Sequence, residues 1–122
     1  MALLAALGCL VAASGHTDPR TGVSIRCEND PQMFPVAWQG GAVRATAKPL
    51  DKTEVQRSIA CAEAALALYP ADLVRRNLKA VFFTKELRFF RVPYGGTNSN
   101  DTLYIANSGV AQGYTDGFLR SA

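Results

Sequence analysis

The spacing of apolar residues changes once along this chain, from a helical interval before residue 70 to strand-like runs after residue 78. Five apolar residues recur every three or four positions: Val55, Ile59, Ala62, Leu66 and Tyr69. This stripe predicts one amphipathic helix, which Pro70 ends. Asp51 and Glu54 stand at the spacing of a capping box at its start. A short second helix is predicted over residues 72–76.

Three runs rich in β-branched and aromatic residues predict strands, at residues 78–84, 87–92 and 102–106. In the first run, alternation places Val81 and Phe83 on one face and their neighbours on the other. Arg88 and Arg91 interrupt the second run, which is typical of a strand near a sheet edge. The pattern predicts an α+β fold, with one amphipathic helix, then a small, mainly antiparallel three-stranded sheet, and the start of a further helix at residue 115 or 116.

The chain has 122 residues, which is enough for one small domain. Residues 1–13, MALLAALGCLVAA, are too short an apolar run to span a bilayer, and they predict the h-region of an export signal. A lipoprotein signal with Cys9 at the attachment site is the alternative. Residues 14–50 contain many turn-forming residues and predict an irregular leader, with a short strand at residues 43–47. We therefore expect an exported protein, in the periplasm, the cell envelope or outside the cell.

Export would leave two cysteines in an oxidising compartment, where Cys27 and Cys61 could form a disulfide. The alternative is that Cys61 is a small buried residue of the helix. The only histidine, His16, lies in the leader, and no second Cys or His stands at a ligand spacing from either cysteine. The sequence therefore predicts no catalytic, cofactor or metal residues within this chain.

Positive charge is concentrated between residues 75 and 91, where six cations face the single acid Glu86. Four phenylalanines share this stretch: Phe82, Phe83, Phe89 and Phe90. Because neighbouring rings on a strand point to opposite faces, at most one ring of each pair is free to stack on a base. We expect no nucleic-acid partner. A membrane is expected to contact the protein only through the signal or a lipid anchor.

The segment YGGTNSND, residues 94–101, separates the second and third predicted strands. One interpretation is a simple connector, since glycine, asparagine, serine and aspartate all favour turns. The other is the rim of a cleft, because eight residues exceed what a minimal hairpin needs. The cleft candidates are Tyr94, Gly95, Gly96, Thr97 and Asn98. Calcium bound by Asn98, Asn100 and Asp101 would lack the spacing of an EF-hand.

Several short motifs in residues 51–119 resemble a bacterial family of zinc-binding metallopeptidases of the zincin type. The matching motifs are Tyr69-Pro70, Leu78-Lys79, the Tyr-Gly-Gly-Thr loop at 94–97, the Thr-Leu-Tyr-Ile strand at 102–105 and Gly113-Tyr114-Thr115. The resemblance implies a secreted or lipid-anchored protein that acts on peptides or proteins. It also implies that zinc is held by a His-Glu region on the helix that begins near Thr115. This chain ends before such a region, so zinc is expected only in a full-length relative.

On this resemblance, residues 51–122 are expected to be the N-terminal part of an incomplete zincin-like domain, inactive as given. Enzymes of this type bind extended substrate along an edge strand. The candidate strand is Thr102, Leu103, Tyr104, Ile105 and Ala106. The alternative function is a small exported binding or interaction domain that uses the basic, aromatic face of its sheet.

Overall fold

The computed structural model describes residues 15–27 and 31–109, so the predicted export signal and the helix predicted at residue 115 lie outside the described residues. This part of the chain contains two α-helices, α1 (Val55–Leu66) and α2 (Ala71–Asn77). It also contains three short 3-10 helices, Pro31–Met33, Val36–Trp38 and Lys52–Glu54. The strands are β1 (Gly15–Thr17), β2 (Ser24–Arg26), β3 (Thr46–Lys48), β4 (Ala80–Thr84), β5 (Glu86–Phe89), β6 (Val92–Tyr94), β7 (Gly96–Ser99) and β8 (Thr102–Ala106).

Five strands form a mixed sheet in the order β1-β2-β4-β8-β7. The three inner strands β2, β4 and β8 run parallel, and the outer strands β1 and β7 are each antiparallel to their neighbour. The α+β class is confirmed, but the small, mainly antiparallel three-stranded sheet is wrong. The first and third predicted strands, β4 and β8, pair in parallel. The chain between them leaves the large sheet, forms β5 and β6 of a second sheet, and re-enters the large sheet at β7.

A second, smaller sheet has the order β3-β5-β6 and is antiparallel throughout. The predicted strand at residues 87–92 is in fact two strands, because the chain reverses at Phe90 and Arg91, with φ of 54° and 64°. Its first part, β5, is the middle strand of this sheet, so the expected edge position is also wrong. The reversal was hidden because such turns normally carry Asn-Gly, not two bulky residues.

The two faces of the large sheet carry separate apolar cores. On one face, α1 and α2 cover Val81 and Phe83, which share a face as predicted. On the other face, the small sheet covers an aromatic cluster around Phe34, Phe89 and Tyr104. The large sheet is thus the middle layer of the domain, between helices and a second sheet.

The start of α1 differs from the expected capping box. Asp51 makes no capping hydrogen bond and its carboxylate pairs with Lys85 at 3.3 Å, while Glu54 turns toward Arg57. At the other end α1 stops at Leu66, and the Arg20 guanidinium donates to the Leu66 carbonyl at 2.7 Å. The same carbonyl also accepts from the Tyr69 N–H at 3.2 Å, so Arg20 adds a second donor at the helix end.

The segment expected to be an irregular leader contributes β1, β2 and β3, so that prediction is wrong in part. The strand predicted at residues 43–47 overlaps β3. Phe34 and Trp38 pack on the domain, whereas Val36 is 85% exposed. Within the described residues, neither helix is long and apolar enough to cross a membrane.

Candidate functional site

The outer strand β7 leaves one side of its backbone open. It pairs with β8 through Thr97 opposite Tyr104, and the Ala106 N–H donates to the Gly95 carbonyl at 2.9 Å. Because bonded and non-bonded pairs alternate in an antiparallel ladder, the N–H and C=O groups of Gly96 and Asn98 point away from β8. No strand among residues 15–27 and 31–109 pairs with that side. The sheet therefore ends in an edge able to accept another strand.

The strand first expected to bind substrate lies elsewhere. Residues Thr102–Ala106 form β8, which pairs with β4 on one side and with β7 on the other. Its backbone groups are already used on both sides, so the assumed edge position is wrong. Any contact of these residues with a ligand would have to come from side chains such as Leu103, which is half-buried.

A depression of about 310 Å³ lies beside this edge. Its lining residues are Gly95, Gly96, Thr97, Asn98, Leu103, Tyr104 and Ile105. A Cβ atom on Gly96 would lie 3.2 Å from the Tyr104 carbonyl oxygen, so a larger residue here would require the backbone to shift by a few tenths of an ångström. Four of the five predicted cleft residues therefore line one depression. Their part in binding a ligand stays a prediction.

A second depression, of about 240 Å³, opens on the small sheet, and we call it the aromatic groove. It is lined by Trp38, Val43, Phe89, Phe90, Tyr94 and Thr97. Phe89 makes edge-to-face contacts with Tyr94 at 5.1 Å and with Trp38 at 5.4 Å between ring centroids. Phe90 is 54% exposed. Thr97 belongs to β7, so the aromatic groove adjoins the open edge.

Tyr104 holds the aromatic side of the sheet together. Its ring is buried, stacks on Phe82 at 5.5 Å, and its hydroxyl donates to the Met33 carbonyl at 2.6 Å. Burial, with a smaller effect of the Asp101 charge, raises the pKa of Tyr104. Tyr104 therefore stays neutral, and its contacts hold β8, the strand that pairs with β7.

The cations beside the groove have few acids to pair with. Lys48 and Arg88 both contact Glu86, and the hydrogen bond from Arg88 is the main reason that the pKa of Glu86 is lowered. Arg44 and Arg91 are exposed and form no ion pair within the described residues. This part of the surface therefore carries unpaired positive charge.

A buried polar network lies where β4 and β8 end, and the sequence analysis missed it. Asn107 is fully buried and donates to Glu54 Oε1 at 3.1 Å and to Ser58 Oγ at 2.9 Å. Its Oδ1 accepts from Arg57 at 3.1 Å and from the Gly109 N–H at 3.0 Å. The only signal in the sequence was a polar residue directly after an apolar strand, which also fits an ordinary turn.

The described residues do not fit a zinc site. No group of three or more His, Cys, Asp or Glu side chains among them could hold a metal ion. His16 pairs with Glu63 at 3.2 Å, and Asp101, one of the three residues considered for calcium, contacts Lys79 at 3.7 Å. Zinc chemistry can therefore be assigned to none of the residues in this part of the chain.

No disulfide joins Cys27 and Cys61, so the structure does not contain the bond that export would permit. Cys61 is buried against the core under α1, as the alternative interpretation expected. Burial raises the pKa of the Cys27 thiol to about 11. A thiol with that pKa is protonated near neutral pH and is a poor nucleophile.

Comparison with known proteins gives no family assignment. A scan against protein-family models, a search of curated proteins and a search of solved structures each found no match.

Proposed function

We propose that this chain supplies the peptide-binding sheet of an exported zincin-type metallopeptidase. An extended peptide would add to the sheet as a further strand next to β7. Main-chain hydrogen bonds would hold it at Gly96 and Asn98, and pockets on either side would receive its side chains. The single observation that carries the proposal is the open, antiparallel edge strand at the end of a mixed sheet.

The two depressions agree with this geometry. Side chains of a bound strand alternate between the two faces of the sheet. One depression is lined by Gly96 and Asn98. The aromatic groove is lined by Thr97, which lies between them on β7 and whose side chain points to the opposite face of the sheet. A peptide paired with β7 would thus meet a pocket on each face.

Hydrolysis is proposed only on the resemblance of residues 51–119 to zinc metallopeptidases. In that family zinc supplies an activated water. Since the residues described here do not fit the metal, we assign them to holding the peptide and assign no bond-breaking step to any of them. The alternative, a binding domain without hydrolysis, is favoured by the same edge together with the basic surface beside the aromatic groove.

The test compares two substitutions of one residue. Asn98→Pro removes the outward N–H and puts a ring at the edge, but leaves the β7–β8 bonds, which Asn98 does not make. Asn98→Ala keeps the N–H and is the matched control. With a fluorescent array of 12-residue peptides, we expect Asn98→Pro to weaken binding at least tenfold and Asn98→Ala to leave it within twofold.

Amide exchange followed by NMR gives a second measurement on the unchanged protein. A bound peptide should protect the amides of Gly96 and Asn98, which point outward, with little change at Thr97 and Ser99, which already bond to β8. Equal protection of all four amides, or unchanged binding by Asn98→Pro at full thermal stability, would refute the proposal.

A further inference from the structure

The aromatic groove is rimmed by residues in an unusual backbone conformation. Four of the described residues other than glycine have positive φ. One of them, Phe90 at 54°, lines the groove, and Arg44 at 38° and Arg91 at 64° directly follow the lining residues Val43 and Phe90 in the chain. The Phe90 N–H donates to the Val43 carbonyl at 2.7 Å, which joins the two turns that carry them. Left-handed conformations of bulky residues are strained and often mark functional surfaces.

The charge around the groove is mainly positive. Residues 31–50 and 85–100, which build the small sheet and β7, contain five cations and one acid, Glu86. Glu86 is shared by Lys48 and Arg88, and Lys85 pairs with Asp51. Arg44 and Arg91 are exposed and have no ion pair in this part of the structure. An occupant of the groove would therefore gain from carrying negative charge.

The shape of the groove favours an aromatic side chain. Its volume of about 240 Å³ and its walls of Trp38, Phe89 and Tyr94 suit one ring, which would extend the edge-to-face contacts already present. Phe89 is buried and the ring of Tyr94 packs edge-to-face against it, so these two rings form walls of the groove and not a pair of parallel faces between which a base could stack. A peptide fits this surface better than a nucleic acid.

We propose that this surface selects acidic peptides, with one aromatic side chain held in the aromatic groove and carboxylates on either side of it held by Arg44 and Arg91. This inference rests on the proposed function, because it names the class of peptide that the edge of β7 would bind. It goes beyond that function in assigning selectivity to the small sheet.

The test uses the 122-residue chain and four probes. The first is a nine-residue peptide with a central Phe between glutamates. The second has lysine for glutamate, the third has alanine for Phe, and the fourth is oligo(dT). At low salt we expect the first peptide to bind about tenfold more tightly than either altered peptide. That advantage over the lysine peptide should fall below about threefold at 0.5 M salt, because salt screens exposed charges.

Substitutions by asparagine remove the side chains while keeping the turns, since Asn tolerates positive φ. Arg44→Asn together with Arg91→Asn should weaken binding of the acidic peptide about tenfold and leave the lysine peptide within twofold. Phe90→Asn should remove the preference for Phe over Ala. Arg76→Asn, on α2 at the opposite face of the large sheet, is the control and should change nothing.

The outcomes separate this inference from the proposed function. If peptides bind through β7 with no preference for acidic or aromatic residues, the selectivity is wrong and the edge function stands. If the acidic peptide binds in the groove but Asn98→Pro has no effect, the edge function is wrong. Binding of oligo(dT) as tight as that of the acidic peptide, with competition between them, would overturn the inference in favour of a nucleic acid.

Discussion

Removing the side chain of Asn107 should cost more stability than any other polar substitution in the described residues. It makes four hydrogen bonds and none of its surface is exposed. After Asn107→Ala, Glu54 and Arg57 still pair with each other, and Gly109 can bond to water. Ser58 is fully buried, so its hydroxyl loses its partner in a place that water does not reach.

The size of the effect follows from these partners. A net hydrogen bond contributes about 1 kcal/mol, and one to a charged group about 1.5 to 3 kcal/mol. Counting roughly 1 kcal/mol each for the bonds to Glu54 and Arg57, which still pair with each other, and roughly 1 kcal/mol for the Ser58 hydroxyl, which loses its partner, gives about 3 kcal/mol. For a domain of this size, that corresponds to a fall in Tm of about 12 °C.

Thermal and urea unfolding of the purified chain measure this directly. Asn98→Ala, an exposed asparagine on β7, is the matched control and should lie within about 0.5 kcal/mol of the wild type. Asn107→Asp should also be destabilising at pH 7, because it sets a carboxylate against Glu54, and this penalty should shrink below pH 4. A Tm for Asn107→Ala within 3 °C of the wild type would show that the network contributes little.

Three further measurements test other parts of the structure. Replacing Phe90 and Arg91 by Asn-Gly should raise stability by about 1 to 2 kcal/mol in urea melts, because these residues suit the left-handed turn; a loss would mean that the turn is not of this form. Arg20→Met should lower stability by about 1 kcal/mol, since the carbonyls of Leu66 and Tyr69 lose the guanidinium as a donor; an unchanged Tm would contradict this. Because the folded state raises the pKa of both Cys27 and Tyr104, unfolding curves should show full stability below about pH 9 and a decline through about pH 11. Changing both to Ala and Phe should flatten that decline, and an equal decline in the double variant would exclude these groups as its cause.

The sequence predicted local structure better than strand pairing. The stripe containing Ile59 and Leu66 identified α1 because burial of one helix face leaves a direct periodic signal. Strand pairing leaves no such signal. A strand of three residues such as β2 is too short for a periodic pattern, and its position in the sheet is set by its pairing with Val81 and the neighbouring residues of β4. The small sheet was also not predicted, because its turn at Phe90 uses residues that seldom form turns.

For the candidate site, the sequence identified the right segment but assigned the wrong strand. Gly96 and Asn98 were predicted at a cleft, and they lie at both a depression and the open edge. Leu103 was placed on the edge because the resemblance to zincin-type enzymes implies a substrate-binding edge strand, whereas its strand is in fact an inner one with an apolar pattern typical of that position. Phe89 and Phe90 were predicted on a basic, aromatic face and Tyr94 and Thr97 at a cleft. The groove that they share was not predicted, since it joins them to Trp38, which lies far away in the sequence.

The order of strands in the large sheet also has a consequence for how the chain folds. Ser24 and Ala80 are partners in the ladder although they are 56 positions apart, whereas Ala80 and Thr102 are separated by only 22. Closing the longer loop costs more chain entropy, and pairings between distant segments slow folding. During synthesis the β1–β2 hairpin must therefore wait, without its inner neighbour, until β4 has emerged.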